Sequence, residues 1–373
     1  MKRQNLALII MVILLWGISI QAQTAKVGLV GAQFLKIDVG ARGMALSDAV
    51  LPLADDASAC FWNPANLSLI NKGSIFLSNV AWLADVQYNA VAFSWKLAKY
   101  GTLGAFLSNM NSGEMEETTI EEQQGTGNTF SSTGTQFGIS YSRWLTDKFA
   151  FGANIKYIVE DLASGLESTS SNFAQGGTWA VDLGTHYVTG IKSIRFGTVI
   201  KNFGPEIQLG GHYYDYELAD TIKTETQIPD PNDPTKYITV EVPEKREFRA
   251  YQIPMMFQFG IAFDPINLNN HKLTVSVVIT QPNDNLQRFN LATEYWFMKI
   301  LALRVGYSIG QYSKLTGFED DGTAIYEATF QGHDLRRLSF GAGINWKNLR
   351  FSFAMTEFEI LKPVTNLSLA YNF

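Results

Sequence analysis

From Gly73 to Phe373 the dominant period of the chain is two. Met255, Phe257, Phe259, Ile261 and Phe263 fall on one face of an extended segment, with Met256, Gln258, Gly260 and Ala262 on the other. The alternation recurs in Leu338, Phe340, Ala342, Ile344 and Trp346 against Ser339, Gly341, Gly343 and Asn345. It recurs in Leu349, Phe351, Phe353 and Met355, and again in Phe149, Phe151, Ile155 and Tyr157. Each unit is about ten residues, the length a tilted strand needs to cross a bilayer. About fourteen such units begin near Ser74, Asn89, Thr102, Thr135, Phe149, Thr178, Ile194, Tyr251, Lys272, Arg288, Ile300, Leu338, Asn348 and Thr365. An even number places both chain ends on one side of a membrane. The pattern therefore predicts an all-β, antiparallel outer-membrane barrel.

The links alternate in length, as outer-membrane barrels alternate tight periplasmic turns with longer external loops. Short links fall at 98–100, 146–147, 190–191, 267–270, 298 and 347, and every other link falls outside: those at 111–134, 160–177, 202–250 and 311–337 are long, and those near Leu83, Pro282 and Leu361 are short. The cluster Pro229-Asp230-Pro231-Asn232-Asp233-Pro234 predicts irregular backbone within the longest of these. The last strand sets Leu367, Leu369, Tyr371 and Phe373 on one face. Its final aromatic resembles the C-terminal signature of outer-membrane barrels, and pairing this strand with the first removes both sheet edges. A soluble β-sandwich would alternate too, but it gives the loop asymmetry and the terminal aromatic no common cause.

Composition points the same way. Of 373 residues, 46% are hydrophobic and 13% aromatic, which excludes a disordered chain. Only 17% are charged, a shortage that bilayer contact explains. A mean hydropathy of -0.01, with no long apolar run after the N-terminus, excludes a helical membrane protein. Lys2 and Arg3, the apolar stretch from Leu6 to Ile20, and Ala22 and Ala25 read as a secretory signal over 1–22, implying export through the periplasm to the outer membrane. Residues 23–72 then form an N-terminal segment, and 73–373 the barrel. Cys60 is the single cysteine, so no intramolecular disulfide or thiolate metal cluster can form. The net charge of -6 offers no footprint for nucleic acid.

Chemistry for catalysis is sparse. His186, His212, His271 and His333 lack ligand spacing, and no nucleotide loop occurs, so neither metal nor cofactor is expected. Asp182 and His186 lie four residues apart on one strand face and could be read as a base with its orienting acid. No motif supplies their nucleophile, so a non-enzymatic protein is expected. The acidic run from Glu114 to Glu122 lacks a calcium-loop pattern and reads as a solvated external loop.

Before Gly73 the period is lost and small residues crowd in. A short helix is expected from Arg42 to Ala49, and Asn63-Pro64 marks a turn. Gly40-Ala41-Arg42-Gly43-Met44-Ala45-Leu46, Asp55-Asp56-Ala57-Ser58 and Trp62-Asn63-Pro64-Ala65 resemble the N-terminal signature of the PorV/PorQ family. The Asp-Asp-Ala and Asn-Pro-Ala elements are also similar to those of FadL-type transporters. The Arg42 to Leu46 stretch departs from the best-known PorV and PorQ members, so the chain is assigned to neither subgroup. The resemblance implies a fourteen-stranded FadL-like barrel with the N-terminal segment folded into its lumen as a plug. It also implies a component of type IX protein secretion that binds the translocon or exported cargo. FadL-like architecture allows an alternative, passive transport of a hydrophobic small molecule through a gated lumen.

The residues themselves are compatible with a filled interior. Inward positions are often small, among them Gly152, Gly184, Gly306 and Gly341, so the wall can approach another backbone closely. Inward Lys156, Asp182, Arg195, Lys201, Glu294, Arg304 and Arg350 need partners, because an isolated buried charge is costly. Arg42, Asp55 and Asp56 are candidates to supply some of them, with Asn63 and Pro64 as further plug contacts; Asp55-Asp56 as a solvated, helix-capping turn is equally open. Trp95, Trp144, Tyr187, Trp296, Tyr312 and Trp346 are expected in interfacial girdles against outer-membrane lipid. Tyr213, Tyr214, Tyr216, Tyr237 and Phe248 either anchor a protein partner at the external loops or pack the long loop on itself.

Overall fold

The computed structural model describes residues 30–118, 122–166, 173–214, 223–230, 233–243, 245–310, 312–318, 324–329, 336–358 and 361–373. The signal read over 1–22 lies outside them. Fourteen strands form the wall: β1 Gly73–Ala81, β2 Gln87–Lys96, β3 Thr102–Asn111, β4 Thr129–Trp144, β5 Phe149–Ser164, β6 Gln175–Val188 and β7 Arg195–Phe203, then β8 Met256–Asn267, β9 His271–Pro282, β10 Arg288–Phe297, β11 Leu301–Gly310, β12 Arg336–Trp346, β13 Leu349–Phe358 and β14 Leu361–Asn372. Each pairs antiparallel with its neighbours in sequence, and β14 closes on β1 in the register Ser74↔Asn372 through Ala81↔Thr365. Closure leaves no sheet edge in the lipid, where unpaired backbone groups would be costly. Phe373 seals the seam: its N–H donates to the Gly73 carbonyl at 3.1 Å and its ring lies 5.5 Å from that of Trp95.

Period-two burial follows the pleat. In β2, Tyr88, Ala90 and Ala92 face inward and are buried, while Val91, Phe93 and Trp95 face outward and are exposed. Outward Leu77, Leu103, Ile139, Phe257, Leu303 and Phe351 continue an apolar band around the cylinder, the surface that lipid covers.

Residues 30–72 run down the inside. Val30 bridges Gln252 beside the long links, and the chain reaches β1 at the short-link rim. Helix α1 (Ala41–Ala45) is shorter than the expected 42–49, because Ser47 and Asp48 adopt left-handed backbone at φ 45° and 67° and end it. Helix α2 (Ala59–Trp62) follows, then a 3-10 turn at Pro64–Leu69 capped by Asn63, whose Oδ1 accepts from the Ala65 N–H. Phe34, Leu35, Met44, Leu46, Leu51, Phe61 and Leu67 of this segment and Phe76, Tyr88, Phe106 and Ile158 of the wall form one apolar core. Phe61 meets Phe106 edge to face at 5.2 Å.

Two expectations about the loops are corrected. Strands β4 and β5 run on past the predicted loop boundaries, to Thr129 and Ser164, as a hairpin rising above the wall. In the proline cluster, Pro229 and Asp230 end one strand, Lys223–Asp230, and Asp233 and Pro234 begin its antiparallel partner, Asp233–Pro243, in place of irregular chain; Pro231 and Asn232 lie outside the described residues. β-branched residues recur at alternate positions there, with Thr224, Thr226 and Ile228 in register with Val242, Val240 and Ile238.

Candidate functional site: the filled lumen

The interior segment and the wall are fitted at backbone distance. A Cβ added at Gly152 of β5 would stand 2.4 Å from the Ala65 nitrogen and the Pro64 carbonyl carbon. One at Gly306 of β11 would stand 2.5 Å from the Leu46 carbonyl carbon. Only glycine admits the turn at Pro64 and the end of α1 so close to a strand.

Charge then ties the pieces together. The Arg42 guanidinium donates from Nε and Nη2 to the two oxygens of Glu294 in β10, both at 2.9 Å, and from Nη1 to Asp55 at 2.7 Å. Glu294 also accepts from Arg304 Nε of β11 at 2.8 Å. Arg350 of β13 donates to Asp55 at 2.7 Å and to Asp56 at 3.2 Å. Arg304 and Arg350 both lie over the Trp296 ring, at 5.6 and 5.8 Å. Three guanidinium groups and three carboxylates thus balance in one network joining the segment to β10, β11 and β13. Partial loss of water opposes ionisation of Asp55, whose side chain is still 43% exposed, but Arg350 and Arg42 outweigh it and hold its carboxyl below the usual carboxylate range. The remaining oxygen of Asp56 accepts from the Ser58 N–H and hydroxyl, so capping and anchoring occur at one residue.

Across the lumen a second network centres on Asp182 of β6. It pairs with Lys156 of β5 at 2.9 Å and accepts from Asn154 Nδ2 at 2.9 Å and from the Asn202 N–H at 2.7 Å. Asn154 also donates to the Cys60 carbonyl of α2 at 2.8 Å, carrying this network to the segment. Asn202 has φ 59° at a bulge in β7, so the break in the ladder there is occupied by these side chains. Lys201 lies 5.5 Å over the Trp62 ring. Burial pushes the Cys60 thiol up to about 12, leaving it unreactive in place.

At the short-link rim Asn63 Nδ2 donates to the Thr185 carbonyl at 2.9 Å, and Trp144 Nε1 to the Ser68 carbonyl at 3.0 Å. At the opposite rim Lys36 pairs with Asp284, and Ala32 N–H and the Tyr251 hydroxyl both donate to Glu160. Arg195 pairs with Asp264 at 3.1 Å within the wall and does not reach the segment.

The acid–base pair read from Asp182 and His186 is not assembled. Asp182 spends its oxygens on Lys156, Asn154 and Asn202, while both His186 ring nitrogens are buried without a hydrogen-bond partner. Trp144 and Trp296 leave the girdle: they share the inward parity of Ser142 and Glu294, and Trp296 is only 8% exposed beneath its two arginines. Trp95, Tyr187 and Trp346 do face outward, and the Tyr312 side chain lies outside the described residues. Of the external aromatics, Phe248 packs edge to face on Phe173 at 5.7 Å. Tyr213 and Tyr237 lie on strands, with Tyr214 beside Tyr213, but their side chains and all of Tyr216 fall outside the described residues. Glu160, Asp264 and Asp284 escaped the sequence reading; the parity of β5, which sets Asn154 and Lys156 opposite the lipid-facing residues, could also have shown Glu160.

The comparisons agree with this architecture. A family model described as type IX secretion system protein PorV matches residues 20–213, more than half of the chain. The solved toluene transporter TodX of Pseudomonas putida is similar at 15% identity and TM-score 0.54, over 94% of this chain and 100% of that one. The toluene transporter TbuX of Ralstonia pickettii aligns at 12% identity and TM-score 0.51, over 88% and 98%. A Pseudomonas aeruginosa FadL homologue aligns at 13% identity and TM-score 0.50, over 90% and 98%. At such identities these likenesses show the fold alone. No curated protein matches the sequence. With the family match over half its length and a closed FadL-like barrel of fourteen strands, a fold that implies the outer membrane, the chain belongs to the PorV family.

Proposed function

We propose that this protein is a non-enzymatic component of type IX protein secretion that binds exported cargo or the translocon at its external loops, while its lumen stays shut. The observation that carries the reading is the filled interior. Two cavities beside the segment hold about 30 and 10 Å³, room for a water molecule and too little for a hydrocarbon. Family membership supports the secretion role, and the paired strands Lys223–Asp230 and Asp233–Pro243 in the longest link offer a surface outside the wall's sheet for a partner. The test is affinity purification from native outer membranes of the intact protein and of a variant lacking residues 223–243. The intact protein should retain exported proteins or a large barrel partner, and the variant should lose them while still assembling. Equal recovery from both would contradict the reading.

The likeness to toluene transporters favours one other reading, passive uptake of a hydrophobic small molecule. It requires residues 30–72 to move aside, because that segment packs into one apolar core with the inner wall. Toluene uptake into proteoliposomes above the protein-free rate would favour it.

A further inference from the structure

The outer wall carries an apolar trough of about 760 Å³ across β11 to β14 and β1 to β3. Its floor is the sheet itself, and its sides are outward residues such as Ile344, Phe351, Leu369, Leu77 and Val91. Small Ala342 stands among them, opposite Leu303 and Phe353. Toward the external rim the lining changes character. Asn79, Asn89, Asn109 and Thr135 stand directly opposite one another on four successive strands, all on the outer face. Asn79 Nδ2 donates to Asn89 Oδ1 at 2.8 Å and to Gln87 Oε1 at 3.4 Å, and Asn109 Nδ2 donates to Thr135 Oγ1 at 2.8 Å.

This row lies two residues below the outer ends of β1, β2 and β3, roughly 7 Å of strand. The row of Leu77, Val91, Leu107 and Phe137 below it is wholly apolar. Amides facing hydrocarbon are costly unless they are hydrogen-bonded, and these bonds leave the Asn89 Nδ2 group and one N–H of Asn109 as donors for a partner outside the described residues. Those partners must sit at the depth where acyl chains join their headgroups. An edge-to-edge strand cannot enter, because the barrel is closed. A chain that is apolar along the trough and bears hydrogen-bonding carbonyls at its end matches both parts.

We propose that the trough is a specific seat for one bilayer lipid, its acyl chain lying along Ile344, Phe351, Leu369 and Leu77 and its carbonyl linkage hydrogen-bonded by the amide N–H groups of Asn89 and Asn109. The site faces away from the lumen and is independent of the role proposed there.

The experiment uses the full barrel in dodecyl maltoside with added palmitoyl-oleoyl phosphatidylethanolamine, read by native mass spectrometry. The unmodified protein should retain one lipid through detergent exchange. Asn89→Leu with Asn109→Leu should lower retention at least tenfold, and Asn89→Gln should keep most of it. Ala342→Trp fills the trough without touching the amides and should lower retention independently. All four positions face lipid, and the heat-dependent gel shift of a folded barrel verifies each variant. A photoreactive residue at Leu77 in native outer membranes should capture lipid. Retention unchanged in both the double leucine and Ala342→Trp variants, or a protein adduct at Leu77, would overturn the proposal.

Discussion

The internal segment is fastened differently at its two ends. Residues 30–36 meet the external rim through a bridge to Gln252, the Glu160 contacts and one lysine on Asp284, and both Gln252 and Asp284 lie in links rather than strands. From Arg42 to Ser68 the contacts fall on the strands themselves: a six-charge network, amide-to-carbonyl bonds, and glycine positions with no room for a side chain. The difference teaches where the filled lumen is firm. Any displacement would start at the loop-bearing rim, with the middle of the segment moving last.

The comparison breaks most readily at Glu294. Glu294→Gln would leave Arg42 and Arg304 without their shared carboxylate, and breaking a buried pair costs about 3–5 kcal/mol. The heat-dependent gel shift should fall in temperature, and Cys60, the lone cysteine, should become reactive toward maleimide. Gly152→Leu should displace the Pro64–Leu69 turn and lower stability by about 1–3 kcal/mol, as overpacking does, measured by the same gel shift. Asn63→Ala removes a cap and the Thr185 contact and should cost about 1 kcal/mol. Lys36→Ala, at the external rim, should cost less than Glu294→Gln, because Asp284 keeps the Gln33 amide, and should leave Cys60 protected. If Lys36→Ala exposed Cys60 as readily as Glu294→Gln, the proposed order of release would be wrong.

Acid gives an orthogonal reading. The native carboxyl of Asp55 titrates below its unfolded value of about 3.9, so its contribution is complete above that pH and is lost as pH falls through the native value. The gel-shift temperature should therefore be clearly less sensitive to Asp55→Asn at pH 2 than at pH 7.

The wall was legible because period two survives wherever one face meets lipid, as in Met256 to Ala262 against Phe257 to Ile261. β8 begins at Met256 and not near Tyr251, since Tyr251 and Gln252 pair with Ile207 and Val30 instead. Such long-range pairings leave no local pattern. The inward charges were visible by parity, but their partners were only partly so: Arg42 and the two aspartates stand out in a run of small residues, whereas Asp284 and Asp264 look like ordinary loop and strand-end acids. Trp296 shows the cost of reading residue type over parity, for its place two residues from Glu294 already put it inside.

Conductance across a planar bilayer tests the account most directly, because a shut lumen is its central claim. The purified protein should insert without steady current steps, and Glu294→Gln should admit intermittent ones. Stable, ohmic steps from the unmodified protein, of the size an open cylinder of this girth would pass, would contradict it.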